Sequence, residues 1–181
     1  MFIEPTEIED VVVITFDFHE DTRGWFAETY DAVTFRAHGL PTTWQHDSWS
    51  LSPTPGTVRG LHFQAPPEEQ AKLVRVPHGR VFDVAVDLRR SSPHFGRHVS
   101  VHIDHRQAVF IPAGFAHGFC TLEPDTEVAY KMTVPYAKDL ARGVAWDDPQ
   151  IGIEWPEIAN VLTVSDRDAE LPGLRDLIQY F

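Results

Sequence analysis

The segment Val58-Arg-Gly-Leu-His-Phe-Gln64 sets a histidine close to a glycine. It reads as a strand, on which alternation sends Arg59 and Leu61 to one face and Val58, Gly60, His62 and Gln64 to the other. A glycine leaves open space in front of a neighbouring imidazole, which a general base needs to reach a proton. On this segment alone, a core histidine donating to a backbone carbonyl is the plainer reading. In Ala71–Val76, Lys72 runs in phase with Val74 and Val76. A lysine among valines either snorkels from a rim or is held in a pocket by an acid. Asp83, expected on the next strand of a hairpin, is the candidate acid. Tyr130 and Tyr136 flank a strand end, where tyrosines are commonly amphipathic core residues. Ser165-Asp-Arg-Asp-Ala169 offers a carboxylate able to orient a histidine, although by itself it reads as a polar turn.

Ten histidines raise the question of a metal. A barrel site needs three or more converging N or O ligands, commonly opened by a His-x-His pair. The strand around His62 has no second histidine two residues on. His102 and His105 fall on a strand and its turn, so they do not share a face. His98 and His102 share one with Ser100 and Asp104, which reads as solvated. Most of the ten are expected to be surface or structural histidines, with no metal site.

The elements that must position these residues follow from length and pattern. A chain of 181 residues is expected to form one domain, 1–181. Short runs rich in Val, Ile, Phe and Thr, cut by turn residues about every eight to twelve positions, predict an antiparallel sandwich or barrel. In Arg80–Leu88, Phe82, Val84, Val86 and Leu88 share one face, and Val81, Asp83 and Ala85 the other. Helix is scarce: Asp31–His38 accommodates two turns and Pro172–Ile178 a short piece. Pro66 to Gln70 is a loop leading into the strand near Ala71. The net charge of −12 argues against a general nucleic-acid or anionic-membrane partner, since no basic surplus exists to meet phosphates. An anionic small molecule would need a local cluster of cations. A single cysteine, Cys120, excludes a disulfide within the chain. No apolar run is long enough to span a bilayer, and the first residues lack a secretion signal, so a cytoplasmic protein is expected.

The motifs together resemble one family. Asp21-Thr-Arg-Gly-Trp-Phe-Ala-Glu28, Gly56-Thr-Val-Arg-Gly-Leu-His-Phe-Gln64 and Gln70-Ala-Lys72 come first. Gly79 to Gly96, Ile111-Pro-Ala-Gly-Phe-Ala-His-Gly-Phe119 and Tyr130 to Tyr136 follow. Trp146-Asp-Asp-Pro149, Ile153-Glu-Trp-Pro156 and Ser165-Asp-Arg-Asp168 close the series. They resemble the dTDP-4-dehydrorhamnose 3,5-epimerases, cupin-type antiparallel jelly-roll barrels, so an all-β fold with a few short helices is expected. The resemblance implies a dTDP-4-keto-6-deoxyhexose substrate inverted at the carbons flanking its ketone. It implies His62 as the base, Asp168 as the carboxylate polarising it, Tyr130 as the proton donor and Lys72 as the cation near the keto oxygen. Enolisation of this kind calls for no metal, nicotinamide or other cofactor. Arg59 and His117 match ligand contacts, and Tyr136 matches the aromatic that stacks on the nucleotide base. Arg23, Phe26 and Glu28 match a nucleotide-binding segment that reaches the neighbouring subunit's site, which implies a homodimer.

Some positions depart from the family pattern. His46 and Ser48 stand where many relatives carry Gln and Asn, with Gln45 available if the register slips. Ala141 replaces a ligand-contacting glutamate. Arg167 replaces a lysine, keeping the charge but not its geometry. The nearest alternative is epimerisation at one carbon, or of another 4-keto nucleotide sugar. A metal-dependent cupin oxygenase is disfavoured by the missing His-x-His. A non-enzymatic sugar-binding cupin is disfavoured by the presence of His62, Lys72, Tyr130 and Asp168.

Overall fold

The computed structural model describes residues 1–158, 163–177 and 180–181. Its elements run β1 (Phe2–Pro5), β2 (Val12–Thr15), β3 (Phe18–Asp21), β4 (Gly24–Ala27), α1 (Ala32–Ala37), β5 (His46–Ser52), β6 (Thr57–Gln64) and β7 (Lys72–His78). Then come β8 (Arg80–Asp87), β9 (His98–Asp104), β10 (Gln107–Ile111), β11 (Phe115–Thr121), β12 (Thr126–Met132), β13 (Ala141–Gly143), β14 (Thr163–Val164) and α2 (Asp166–Ala169). One sheet has the order β1-β2-β10-β7-β12-β5, and the other β13-β6-β11-β8-β9 with β14 added parallel to β6. All remaining strand pairs are antiparallel, including the separate β3–β4 hairpin. The chain is thus an all-β, two-sheet jelly roll with a few short helices, as expected.

Apolar side chains fill three layers. Val74, Val76, Val81, Ala85, Phe119 and Val128 pack between the sheets. Ile14, Phe16, Leu73 and Phe110 cover the outside of the first sheet beneath Phe35 of α1. Leu61, Phe63, Phe82, Val84 and Val86 lie outside the second, covered by Trp146, Trp155 and Leu174. Each Val, Leu, Ile or Phe side chain among these contributes about 1.5–3 kcal/mol when fully buried. Because both faces are covered, neighbouring positions such as Leu73 and Val74 are both apolar. The alternation read in Arg80–Leu88 holds, with Phe82, Val84, Val86 and Leu88 outward and Val81 and Ala85 inward.

Other expectations need correction. The run from Val11 to Phe18 splits, its end starting the β3–β4 hairpin. Strand β5 was not signalled, because an edge strand reading His-Asp-Ser-Trp-Ser-Leu-Ser carries no β-branched residue. Residues 174–177 make turns, not a helix; Ile178, the end of that expected piece, lies outside the described residues. Strands β7 and β8 follow one another through Gly79 but lie in opposite sheets, so they do not form a paired hairpin. Helix α1 forms where expected, its Asp31 side chain accepting from the Thr34 amide at 2.7 Å. Among the described residues, no helix is long and apolar enough to cross a membrane.

Candidate active site

At one end of the interior a cavity of about 400 Å³ opens between the sheets, within the usual ~300–1,000 Å³ of small-molecule sites. His62, Lys72, His117 and Tyr130 line it from β6, β7, β11 and β12, with Asp168 from α2.

His62 sets Nε2 at 2.7 Å from Asp168 Oδ1. Ser165 caps the first turn of α2, its hydroxyl accepting from the Asp168 amide at 3.2 Å, which turns the carboxylate toward β6. The other oxygen, Oδ2, accepts from the Gly60 amide at 3.1 Å. Burial pushes the Asp168 carboxyl up, but the hydrogen bond and charge of His62, the Gly60 amide and Arg167 outweigh it and hold the group below its ordinary value. An ionised aspartate keeps the proton on Nε2 and leaves Nδ1 as the basic nitrogen.

The close approach of two strands shapes this corner. His62 stands opposite His117, yet Phe119 stands opposite Arg59, so β6 carries one residue more than β11 across this interval. Such a bulge resets alternation. Arg59 and His62 therefore both line the cavity, while Val58 and Leu61 pack into the outer layer. This corrects the strict alternation that set Arg59 opposite His62. A Cβ on Gly60 would lie 2.5 Å from the Gly118 Cα and 3.0 Å from the His117 carbonyl oxygen. The bulge therefore requires glycine there.

Lys72 donates from Nζ to the His62 carbonyl at 3.1 Å. Burial pulls its ammonium down to about 8, with the negative charge of Asp83 working the other way. Asp83, the candidate acid for Lys72, does not pair with it directly. Asp83 instead takes His117, Oδ2 to Nε2 at 2.8 Å, because β8 faces β7 across the interior and pairs beside β11. Burial raises the Tyr130 hydroxyl well above its ordinary value; Asp83 adds to this, and a bond to Ser50 and the charge of Arg59 oppose it. A phenol so held keeps its proton. Arg59 is fixed by the Ser52 hydroxyl at 3.1 Å and the Leu51 carbonyl at 3.0 Å.

Ser48, Tyr136, Arg167 and Ala141 also line the cavity. His46 does not, but its Nε2 meets the Ser48 hydroxyl at 3.0 Å. Arg23, Phe26 and Glu28 lie on or just after the β3–β4 hairpin, outside this chain's cavity. The Arg23 side chain is 88% exposed and paired with Asp21. Gln64, Gln70 and Arg142, not singled out from sequence, join the lining. Among the described residues, no group of three or more His, Cys, Asp or Glu is placed to hold a metal.

The family model for dTDP-4-dehydrorhamnose 3,5-epimerase matches residues 5–176. A dTDP-4-dehydrorhamnose 3,5-epimerase from Sinorhizobium fredii is 42% identical over 179 residues, covering 98% of this chain and 91% of that protein. The dTDP-6-deoxy-D-glucose-3,5-epimerase of Legionella pneumophila, solved in complex with dTDP-4-keto-L-rhamnose, superposes with a TM-score of 0.92 at 36% identity, covering 98% of this chain and 94% of that one. A 3′-monoepimerase from Streptomyces bikiniensis, in complex with dTDP-quinovose, gives 0.87 at 33% identity over 95% and 87%. On the family match and this level of identity, the chain belongs to the dTDP-4-dehydrorhamnose 3,5-epimerase family.

Proposed function

We propose that this chain inverts C3 and C5 of dTDP-4-keto-6-deoxy-D-glucose, giving dTDP-4-keto-L-rhamnose. His62 takes the proton from the carbon beside the ketone, and the electron pair left behind moves onto the keto oxygen as an enolate. The Lys72 ammonium stabilises that oxygen, where charge develops. Tyr130 returns a proton from the opposite face, and the ketone reforms with the carbon inverted. Base, acid and cation suffice for this chemistry. The observation that carries the reading is the His62–Asp168 contact of 2.7 Å in a cavity also lined by Lys72 and Tyr130.

The dTDP moiety falls to Arg59, Ser48, His117, Arg167 and Tyr136 of the same chain. Arg23, Phe26 and Glu28 serve the site of a second copy in a homodimer. Exposed Trp49 and Leu51 on β5, with Trp25 and Phe26 on the hairpin, supply apolar surface for that contact. Incubation with the 4-keto nucleotide sugar in D₂O tests the reading. Deuterium at both C3 and C5 is expected. Deuterium at one carbon supports single-carbon epimerisation, the activity named for the Streptomyces relative, and none overturns the proposal.

A further inference from the structure

The geometry points to Gln64 and Gln70 as positioning residues that hold the cavity wall carrying Tyr136. The inference rests on the reading of Tyr136 as a nucleotide contact.

Tyr136 sits in an irregular stretch between the end of β12 and a 3₁₀ turn, Lys138–Leu140. It is 52% exposed, so core packing does not fix its ring. The backbone on either side must do so. The Gln64 Nε2 donates to the Pro135 carbonyl at 3.1 Å, and its Oε1 accepts from the Ala137 amide at 2.8 Å. One amide group thus brackets Tyr136, gripping the residue before it and the residue after. Its orientation is set by chemistry, since a carbonyl can meet only the NH₂ and an amide N–H only the oxygen. Gln70 adds a second grip, donating to the Val134 and Pro135 carbonyls at 3.0 and 3.2 Å. At 3% and 8% exposure, neither glutamine is free to exchange these partners for water.

Gln64 is also two residues from His62 on β6, and both side chains line the cavity. A single strand therefore carries the imidazole and grips the segment that presents Tyr136. This sets how far the base stands from the aromatic wall. The two glutamines act on binding, by holding Tyr136, and not on proton transfer.

The test is titration of dTDP into full-length Gln64→Leu, Gln70→Leu, Tyr136→Ala and the doubles of each glutamine variant with Tyr136→Ala, together with steady-state kinetics. Each glutamine variant is expected to weaken dTDP about ten-fold and to raise KM alike, while kcat at saturation stays within about two-fold. Each double variant should bind no more weakly than Tyr136→Ala, because the lost grip has nothing left to position. If Gln64→Leu does not fold, Gln70→Leu and its double carry the same comparison. Unchanged dTDP affinity, additive losses in the doubles, or a fall in kcat at constant KM would overturn the assignment. Absence of dTDP binding by the unaltered protein overturns the nucleotide reading and this inference with it. Absence of deuterium wash-in alone overturns only the proposed reaction.

Discussion

His62 and His117 stand opposite one another where β6 pairs with β11, and each turns Nε2 to a carboxylate from a different element. His117 and Asp83 are 4% and 1% exposed, packed into the wall of the cavity that His117 lines. The His62 ring is 39% exposed, held by a buried Asp168 yet open to the cavity. The first pair is fixed within the cavity wall, whereas His62 presents a more open ring to a ligand.

His62→Ala should lose about 10²–10⁴-fold of the deuterium wash-in at C3 and C5. Asp168→Asn should lose less, because it disturbs the imidazole without deleting it. Exchange near that of the unaltered protein in His62→Ala would remove His62 from the mechanism. The lowered Asp168 pKa gives a second readout. A carboxyl whose folded pKa lies below its unfolded value adds stability above that unfolded value, about 3.9, and loses it as pH falls through the folded one. Asp168→Asn should therefore flatten the acid limb of stability below about pH 4, read by urea unfolding across pH.

Asp83→Asn keeps the shape of the His117 partner but removes a charge that supports the Lys72 ammonium. Lys72, at about 8, should then titrate lower still. The alkaline limb of kcat/KM should move to lower pH. A limb that stays in place or moves upward would show that Lys72 is not the group titrating there.

Lys72→Met should stabilise the fold while abolishing most activity. The folded pKa of about 8 lies below the ordinary 10.5, so the unfolded chain binds the proton more tightly. Stability then rises with pH between these values, and the penalty is fully present below about 8. A shift of this size corresponds to on the order of 3 kcal/mol. Chemical denaturation of both proteins at neutral pH and above pH 10 checks it. The gain should be present at neutral pH and shrink at the alkaline one.

Arg59→Ala and Arg23→Ala should each weaken dTDP roughly ten-fold or more, the scale of a charge-assisted hydrogen bond. Arg59 acts on the cavity of its own chain, whereas Arg23 pairs, among the described residues, with Asp21. Mixing Arg23→Ala with His62→Ala subunits distinguishes the two settings. In a shared-site dimer, half of the sites of a mixed pair carry neither defect, so activity should return. No recovery on mixing would confine Arg23 to a surface pair with Asp21.

Much of the fold is legible along the chain. The in-and-out pattern of Phe82, Val84 and Val86 against Val81 and Ala85, and the short helix within Asp31–His38, each depend only on neighbours within a few residues. Alternation and capping are local physics, and any fold that uses these segments must respect them. The residue types able to move a proton, His62, Tyr130, Lys72 and Asp168, are likewise visible without coordinates.

Tertiary structure decided who meets whom. Lys72 and Asp83 are near in sequence, but the chain crosses between sheets at Gly79, and Asp83 finds His117 instead. Arg59 and His62 share the cavity only because a bulge against β11 resets the pleat, at a place where Gly60 and Gly118 let two backbones touch. Gln64 and Gln70 are buried against the Tyr136 segment, which comes from a distant part of the chain. Periodicity tells each side chain which face of its strand it occupies. Which strand lies opposite, and in what register, follows from the summed packing of all three apolar layers, and no local stretch contains that sum.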